Sequence, residues 1–261
     1  KFTVDTVLDL IFFFFYGLSL GKFSKEELEN EIKKYKDVVV HRFSYITDEY
    51  SGQKAIMNKD ILDVMEIKEG EYWLGLKKAR FFSWFYPFAN PHVEQPKESP
   101  SRAYLQMVEA FIWSNYKPEE DEVALELGSA PGGASYAMVQ RGIRVTGVDN
   151  AEMSETLLNH PLFTHIKEPM QKVRDEHIPR PCHLLISDVN VMPSLNLSQV
   201  KRFMQLRPGI KNVFYTLKIG SKITVPEILE HAKTFKRFGF REVGITQLPS
   251  SKSEILLFGK K

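Results

Sequence analysis

From about residue 101 onward, short apolar runs alternate with segments of helical period. "EVALEL", "IRVTGVD", "HLLISDV" and "NVFYTLKI" read as strands, with a further strand leading into "HIKEPM". "SRAYLQMVEAF", "GGASYAMVQRG", "AEMSETLLNH", "LSQVKRFMQL" and "TVPEILEHAKTFKRFGF" read as helices between them. The closing pair "REVGITQL" and "SEILLFGK" has no helix between its members, so one of the two runs antiparallel. Alternation of this kind predicts an α/β domain, a mostly parallel, doubly wound sheet with helices on both faces.

The N-terminal region has a different rhythm, mixed and rich in aromatics. Ser24 followed by Glu27 is a capping-box pattern, and "SKEELENEIKKY" continues it as a helix. "DVVVHRFSYI" and the stretch around "EYWLGLKKARFFSWF" read as strands. "LIFFFFYGLSL", Leu10 to Leu20, is about half the ~20 residues a membrane span needs, and no basic segment leads it. It reads as a core strand or helix. "YPFANPHVEQPKESP" holds four prolines, which neither helix nor inner strand tolerates, and reads as a linker. The expected organisation is a smaller α+β region over 1–95, RNA-binding or accessory, and a second domain over 96–261.

Charge and cysteine content narrow the setting. A formal net charge of +2 announces no nucleic-acid binder by its sum, although a local basic face remains open. The single cysteine, Cys182, excludes an intrachain disulfide, and scattered histidines give no zinc-ligand spacing. A cytoplasmic location is expected, and no metal is required. The chain begins at Lys1 without a methionine, which reads as a fragment or a trimmed chain.

The glycine turn "ELGSAPGG" supplies the candidate chemistry. It reads G-x-x-x-G-G with a proline inside, unlike the G-x-G-x-x-G of dinucleotide sites, and no Lys-Ser/Thr follows it as in a P-loop. Glycine allows a sharp turn and the close approach of a ligand. Asp149 ends the next strand, where a carboxylate can accept from both ribose hydroxyls of an adenosine. Glu126, at the end of the first strand, can face a ligand ammonium group. An adenosine joined to an amino acid has both needs, which describes S-adenosylmethionine.

The run "LELGSAPGGASYAMVQRGIRVTGVDN" resembles the cofactor motif of the FtsJ-like ribose 2′-O-methyltransferases. With "SPSRAYLQMVEAF" upstream and "DNAEM" downstream, it is most similar to the bacterial large-subunit ribosomal RNA methyltransferase M family. The resemblance covers residues 97 to 261 well and the N-terminal region weakly, where that family has a longer, THUMP-containing RNA-binding portion. It implies a Rossmann-like methyltransferase fold with a seven-stranded sheet. The implied substrate is RNA, ribosomal first of all. It implies S-adenosylmethionine contacts at Glu126, Gly128, Ser129, Ala130, Pro131, Gly132, Gly133, Asp149, Asn150, Glu168 and Asp188.

The same resemblance implies a Lys-Asp-Lys-Glu tetrad that presents a ribose 2′-hydroxyl to the methyl group. Asp188 in "LLISDVN", Lys218 in "FYTLKIG" and Glu254 in "SSKSEILLFG" match three of its members. The position of the first lysine holds Gln106, which can donate a hydrogen bond but supplies no charge. Without a cationic neighbour the Lys218 pKa stays higher, so Lys97 or Arg102 are alternative sources of charge. Two other readings stay open. One is a chain that binds cofactor and RNA with weak or no turnover; the other is an enzyme for another RNA, such as capped mRNA. Amino methylation of bases is disfavoured by the absence of [DN]-P-P-[YF] at "SDVN". Cys182 lies ahead of its strand, at the wrong end for a pyrimidine nucleophile. Lys77, Lys78 and Arg80, interleaved with aromatics, suit either an RNA-contacting surface or a core strand with a charged edge, the latter favoured. Arg102 is the stronger phosphate candidate.

Overall fold

A computed structural model describes residues 18–80, 82–219 and 224–261. The chain divides into two compact units between His92 and Val93. Most of the expected core element over Leu10–Leu20 lies outside the described residues. Among the described residues no helix is long and apolar enough to cross a membrane.

The first unit is a five-stranded sheet with one helix. Its strands are β1 (Leu18–Ser24), β2 (Val39–Ser44), β3 (Glu49–Gly52), β4 (Asp60–Lys68) and β5 (Glu71–Lys78), in the order β1-β5-β4-β2-β3. Only β2 and β4 pair in parallel. Helix α1 (Lys25–Ile32) starts where the sequence places it, because Ser24 and Glu27 close a reciprocal capping box that satisfies two free backbone donors. Its buried residue, Leu28, packs on Leu62, Val64 and Leu74.

Strands β3 and β4 go beyond the pattern-based expectation. Asp60, Asp63 and Glu66 interrupt the apolar rhythm of β4, yet Asp63 is buried because Lys77 of β5 reaches it at 2.5 Å. A charge paired in this way can enter a core that the sequence pattern would deny it. The expected strand around residues 71–85 is shorter than its pattern: it stops at Lys78, and a 3₁₀ turn occupies Phe82–Phe85.

The second unit alternates helices and strands. Its elements are α2 (Ala103–Trp113), β6 (Val123–Leu127), α3 (Gly133–Val139), β7 (Arg144–Val148), α4 (Glu155–Leu158) and β8 (Phe163–Ile166). There follow β9 (Leu184–Ser187), α5 (Pro193–Leu206), β10 (Asn212–Lys218), α6 (Val225–Arg237), β11 (Glu242–Thr246) and β12 (Glu254–Lys260). The seven strands lie in the order β11-β12-β10-β9-β6-β7-β8. All pairings are parallel except those of β12, which is the antiparallel member of the closing pair. Period-two alternation divides the core between the two faces. Phe214 of β10 faces the side of α2 and α3, whereas Val213, Tyr215 and Leu217 face the side of α5 and α6.

This topology brings the functional loops to one rim. The β6–α3 turn, the segment after β9, the end of β10 and the start of β12 all lie at the carboxyl edge of the parallel strands, where open α/β sheets hold ligands.

Candidate active site

The β6–α3 turn is built against its neighbours before any ligand is considered. Gly128 has φ +80, and a Cβ there would stand 2.4 Å from the carbonyl oxygen of Asp188. A Cβ at Gly133 would stand 2.3 Å from Ser101 Oγ and 2.6 Å from its carbonyl. The close approaches that glycine permits at these two positions are therefore to the protein's own atoms, where the sequence suggested a ligand. Ser129 is buried against Met153, and Ala130 donates its N–H to Asp149 Oδ2 at 3.1 Å. Ala151 donates to the other oxygen of Asp149 at 2.9 Å, so both oxygens are oriented by backbone. Pro131 and Asn150 are exposed, and Gly132 is buried as the left-handed cap of α3.

Around this turn Glu126 feels the charges of two further carboxylates, Asp149 and Asp188. Glu126 is 1% exposed and accepts a short hydrogen bond from Ser135 of α3. Burial pushes its pKa up to about 8; Ser135 opposes the shift, and the Asp188 and Asp149 charges add to it. Asp188 Oδ1 is also buried, and it faces the Lys218 ammonium. A turn surrounded by acidic groups, one of them held from ionising by burial, suits a cationic ligand and repels a phosphate. The donor set therefore fits the amino-acid end of S-adenosylmethionine. Glu168, after β8, is half-buried, and its side chain has no hydrogen-bond or ion-pair partner among the described residues.

The four candidate catalytic positions come together. Antiparallel pairing of β10 with β12 sets Lys218 directly opposite Glu254. Lys218 Nζ lies 2.5 Å from Glu254 Oε1 and 2.7 Å from Asp188 Oδ1. Gln106 reaches in from α2, donating to Glu254 Oε2 at 2.6 Å. Burial works to lower the Lys218 pKa, but the Asp188 and Glu254 carboxylates outweigh it and hold the ammonium above its ordinary value. Burial likewise raises Asp188, with Lys218 opposing. The residues suggested as substitute cations do not fill the gap. Lys97 and Arg102 are exposed, and neither forms an ion pair among the described residues.

Other expected contacts resolve toward structure. Cys182 is buried ahead of β9, at the opposite end from Asp188, and burial pushes its thiol up to about 12. Lys77 pairs with Asp63 and Lys78 with Asp60 at 2.6 Å, so two of the three cations in "KKARFFSWF" are neutralised within the first unit. Arg80 is exposed. Four participants have no signal in the sequence: Ser135 beside Glu126, Ser251 beside Gln106, and the pair Glu109–Ser250. Only the three-residue step from Gln106 to Glu109 along α2 hints that both point the same way.

Sheet order, the single antiparallel strand and a carboxylate-ringed turn at the strand ends define a Rossmann-like methyltransferase fold. Residues 100–254 match the model of the FtsJ-like methyltransferase family, and the chain belongs to that family. A protein of Pseudomonas syringae pv. tomato named "Ribosomal RNA large subunit methyltransferase M" is 30% identical over 207 residues, 74% of this chain and 56% of its own length. A protein of the same name from Azoarcus sp. is 28% identical over 211 residues, 76% of this chain and 56% of its own. The chain thus spans about half the length of these curated relatives. A solved Lactococcus lactis structure described as a "putative hemolysin" superposes with a TM-score of 0.51 at 19% identity, over 62% of this chain and 88% of its own. That likeness concerns the fold alone.

Proposed function

We propose that the chain is an S-adenosylmethionine-dependent methyltransferase acting on a ribose 2′-hydroxyl of RNA, with ribosomal RNA as the substrate class its relatives' names suggest. The observation that carries the reading is Lys218, gripped by Asp188 and Glu254 at the rim beside the Glu126–Asp149 turn. Glu126, Asp149 and the backbone of 128–133 would hold the cofactor, with Asp188 closing one side. When bound, the cofactor supplies a methyl group on a positively charged sulfur, open to in-line attack.

The chain's own residues meet the remaining needs. A ribose hydroxyl is a poor nucleophile and must lose its proton as it attacks. Lys218 Nζ is the group placed to take that proton when neutral, and Asp188 and Glu254 fix its direction. Gln106 fixes Glu254 in turn. Because two carboxylates keep Lys218 protonated, methyl transfer is expected to rise on the alkaline side of neutrality.

The test of the reaction is where the label goes. A 2′-O-methyl group blocks alkaline cleavage of the adjoining phosphodiester, so label from the cofactor should survive hydrolysis in dinucleotides. Label released wholly in mononucleotides would place the methyl on a base and overturn the proposal. A requirement for a 5′ cap would redirect it to capped mRNA.

Position 106 is expected to control the pH profile. In Gln106→Lys a second ammonium stands beside Glu254 and repels that of Lys218, lowering its pKa by about one unit. The rising limb then moves to lower pH, and activity near pH 7 increases by about tenfold. Strong activity in this variant over a wild type near zero would favour a cofactor- and RNA-binding chain that has lost turnover. Superimposable profiles would show that position 106 does not set the Lys218 proton equilibrium.

A further inference from the structure

Two side chains of α2, one turn apart, grip the loop that leads into β12. Gln106 uses both hydrogens of its amide, one on Ser251 Oγ at 3.3 Å and one on Glu254 Oε2 at 2.6 Å. Glu109 is 5% exposed and accepts from Ser250 twice, from the N–H at 3.0 Å and from the hydroxyl at 2.7 Å. Leaving a carboxyl in such a place without donors is costly, and its two donors among the described residues both come from one loop residue 141 positions away. Within the loop, Ser251 N–H donates to the Leu248 carbonyl and the Gln247 amide to the Lys252 carbonyl, so the loop is a turn tied at both ends.

We infer that Glu109 is a positioning residue: by holding Ser250, it fixes the loop so that Ser251 and Gln106 keep Glu254 against Lys218. The inference rests on the reading of Lys218, Asp188 and Glu254 as the reacting centre, and Glu109 is bonded to none of the three. Burial raises the Glu109 pKa while the two Ser250 donors lower it. Either protonation state keeps an acceptor oxygen for Ser250, so the tether needs shape and an acceptor more than a charge. Among the described residues, the charged groups facing Lys218 are Asp188 after β9 and Glu254 on β12. Neutral Gln106 stands behind Glu254, and the Asp188 charge acts in turn on Glu126 of β6.

The test follows the Lys218 ammonium directly, by NMR titration of the whole chain carrying labelled lysine, alongside methyl-transfer kinetics. In Glu109→Leu the loop is released, Glu254 withdraws, and Lys218 should titrate about one pH unit lower than in the wild type. Lys218 also loses the partner that directs it, which outweighs the gain in neutral amine, so kcat should fall about tenfold or more, with the thermal shift given by S-adenosylhomocysteine preserved. Glu109→Gln keeps an acceptor in place and should restore the Lys218 titration. Both variants remove the same charge, so the difference between them isolates the tether. If Glu109→Leu does not fold, Ser250→Ala removes the hydroxyl donor from the other end of the same tether and should displace the titration in the same direction. An unchanged Lys218 titration, or an equal displacement in the leucine and glutamine variants, overturns the proposal. A displaced titration in a chain whose wild type transfers no methyl group would sustain the tether and overturn the functional reading instead.

Discussion

Replacing Lys218 by alanine is expected to lower methyl transfer by about 10²–10⁴-fold, the range over which a positioned proton acceptor acts. The side chain lies between Asp188 and Glu254 at 2.7 and 2.5 Å, so its loss removes the proposed proton acceptor and leaves two facing carboxylates without a counter-ion. In the proposed reading cofactor binding depends on the Glu126–Asp149 turn, so the thermal shift with S-adenosylhomocysteine should survive. That pairing of results separates a catalytic loss from a binding loss. Equal incorporation by wild type and Lys218→Ala would sink the proposed proton path.

Gly128→Ala is expected to destabilise the second unit by about 2–5 kcal/mol. The two parts of that figure are ~1–2 kcal/mol for a side chain in the left-handed region and ~1–3 kcal/mol for overpacking. The φ is +80, and the added Cβ meets the Asp188 carbonyl oxygen at 2.4 Å, a backbone atom that has no rotamer to yield. Gly142, at φ +79 with open space around it, is the control: alanine there incurs the conformational cost alone. Urea denaturation of the two variants should separate them, and equal midpoints would show that the backbone after β9 moves aside freely. Any shift of that carbonyl also displaces Asp188, so Gly128→Ala should impair methyl transfer even in the fraction that remains folded.

Much of the second unit was legible because its local signals agree. Thr224 and Glu227 close a capping box with Pro226 in the first turn, and α6 begins there in the structure. The closing strands lacked a helix between them, and β12 is antiparallel as that connection requires. In the first unit the signals disagree. β4 has three acidic residues in nine positions, and only its pairing with β5 explains how Asp63 is buried. Lys77 and Lys78 illustrate the same limit. Cations beside aromatics suit either a nucleic-acid contact or a core strand with a charged edge, and the aspartate partners of these two bear out the second, favoured reading.

By itself the sequence determined the order of strands and helices, the glycine turn after β6, and the strand ends bearing Asp188, Lys218 and Glu254. Those features depend on neighbouring residues: period, caps, turn chemistry and the end of an apolar run. Only the tertiary structure decided that Gln106 anchors Glu254 across 148 residues, that Ser135 meets Glu126, and that Glu109 holds Ser250. A hydrogen bond between distant segments is set by strand register and by the face a helix presents. One residue of slip along β12 would turn Glu254 away from Lys218, while the local pattern would read the same.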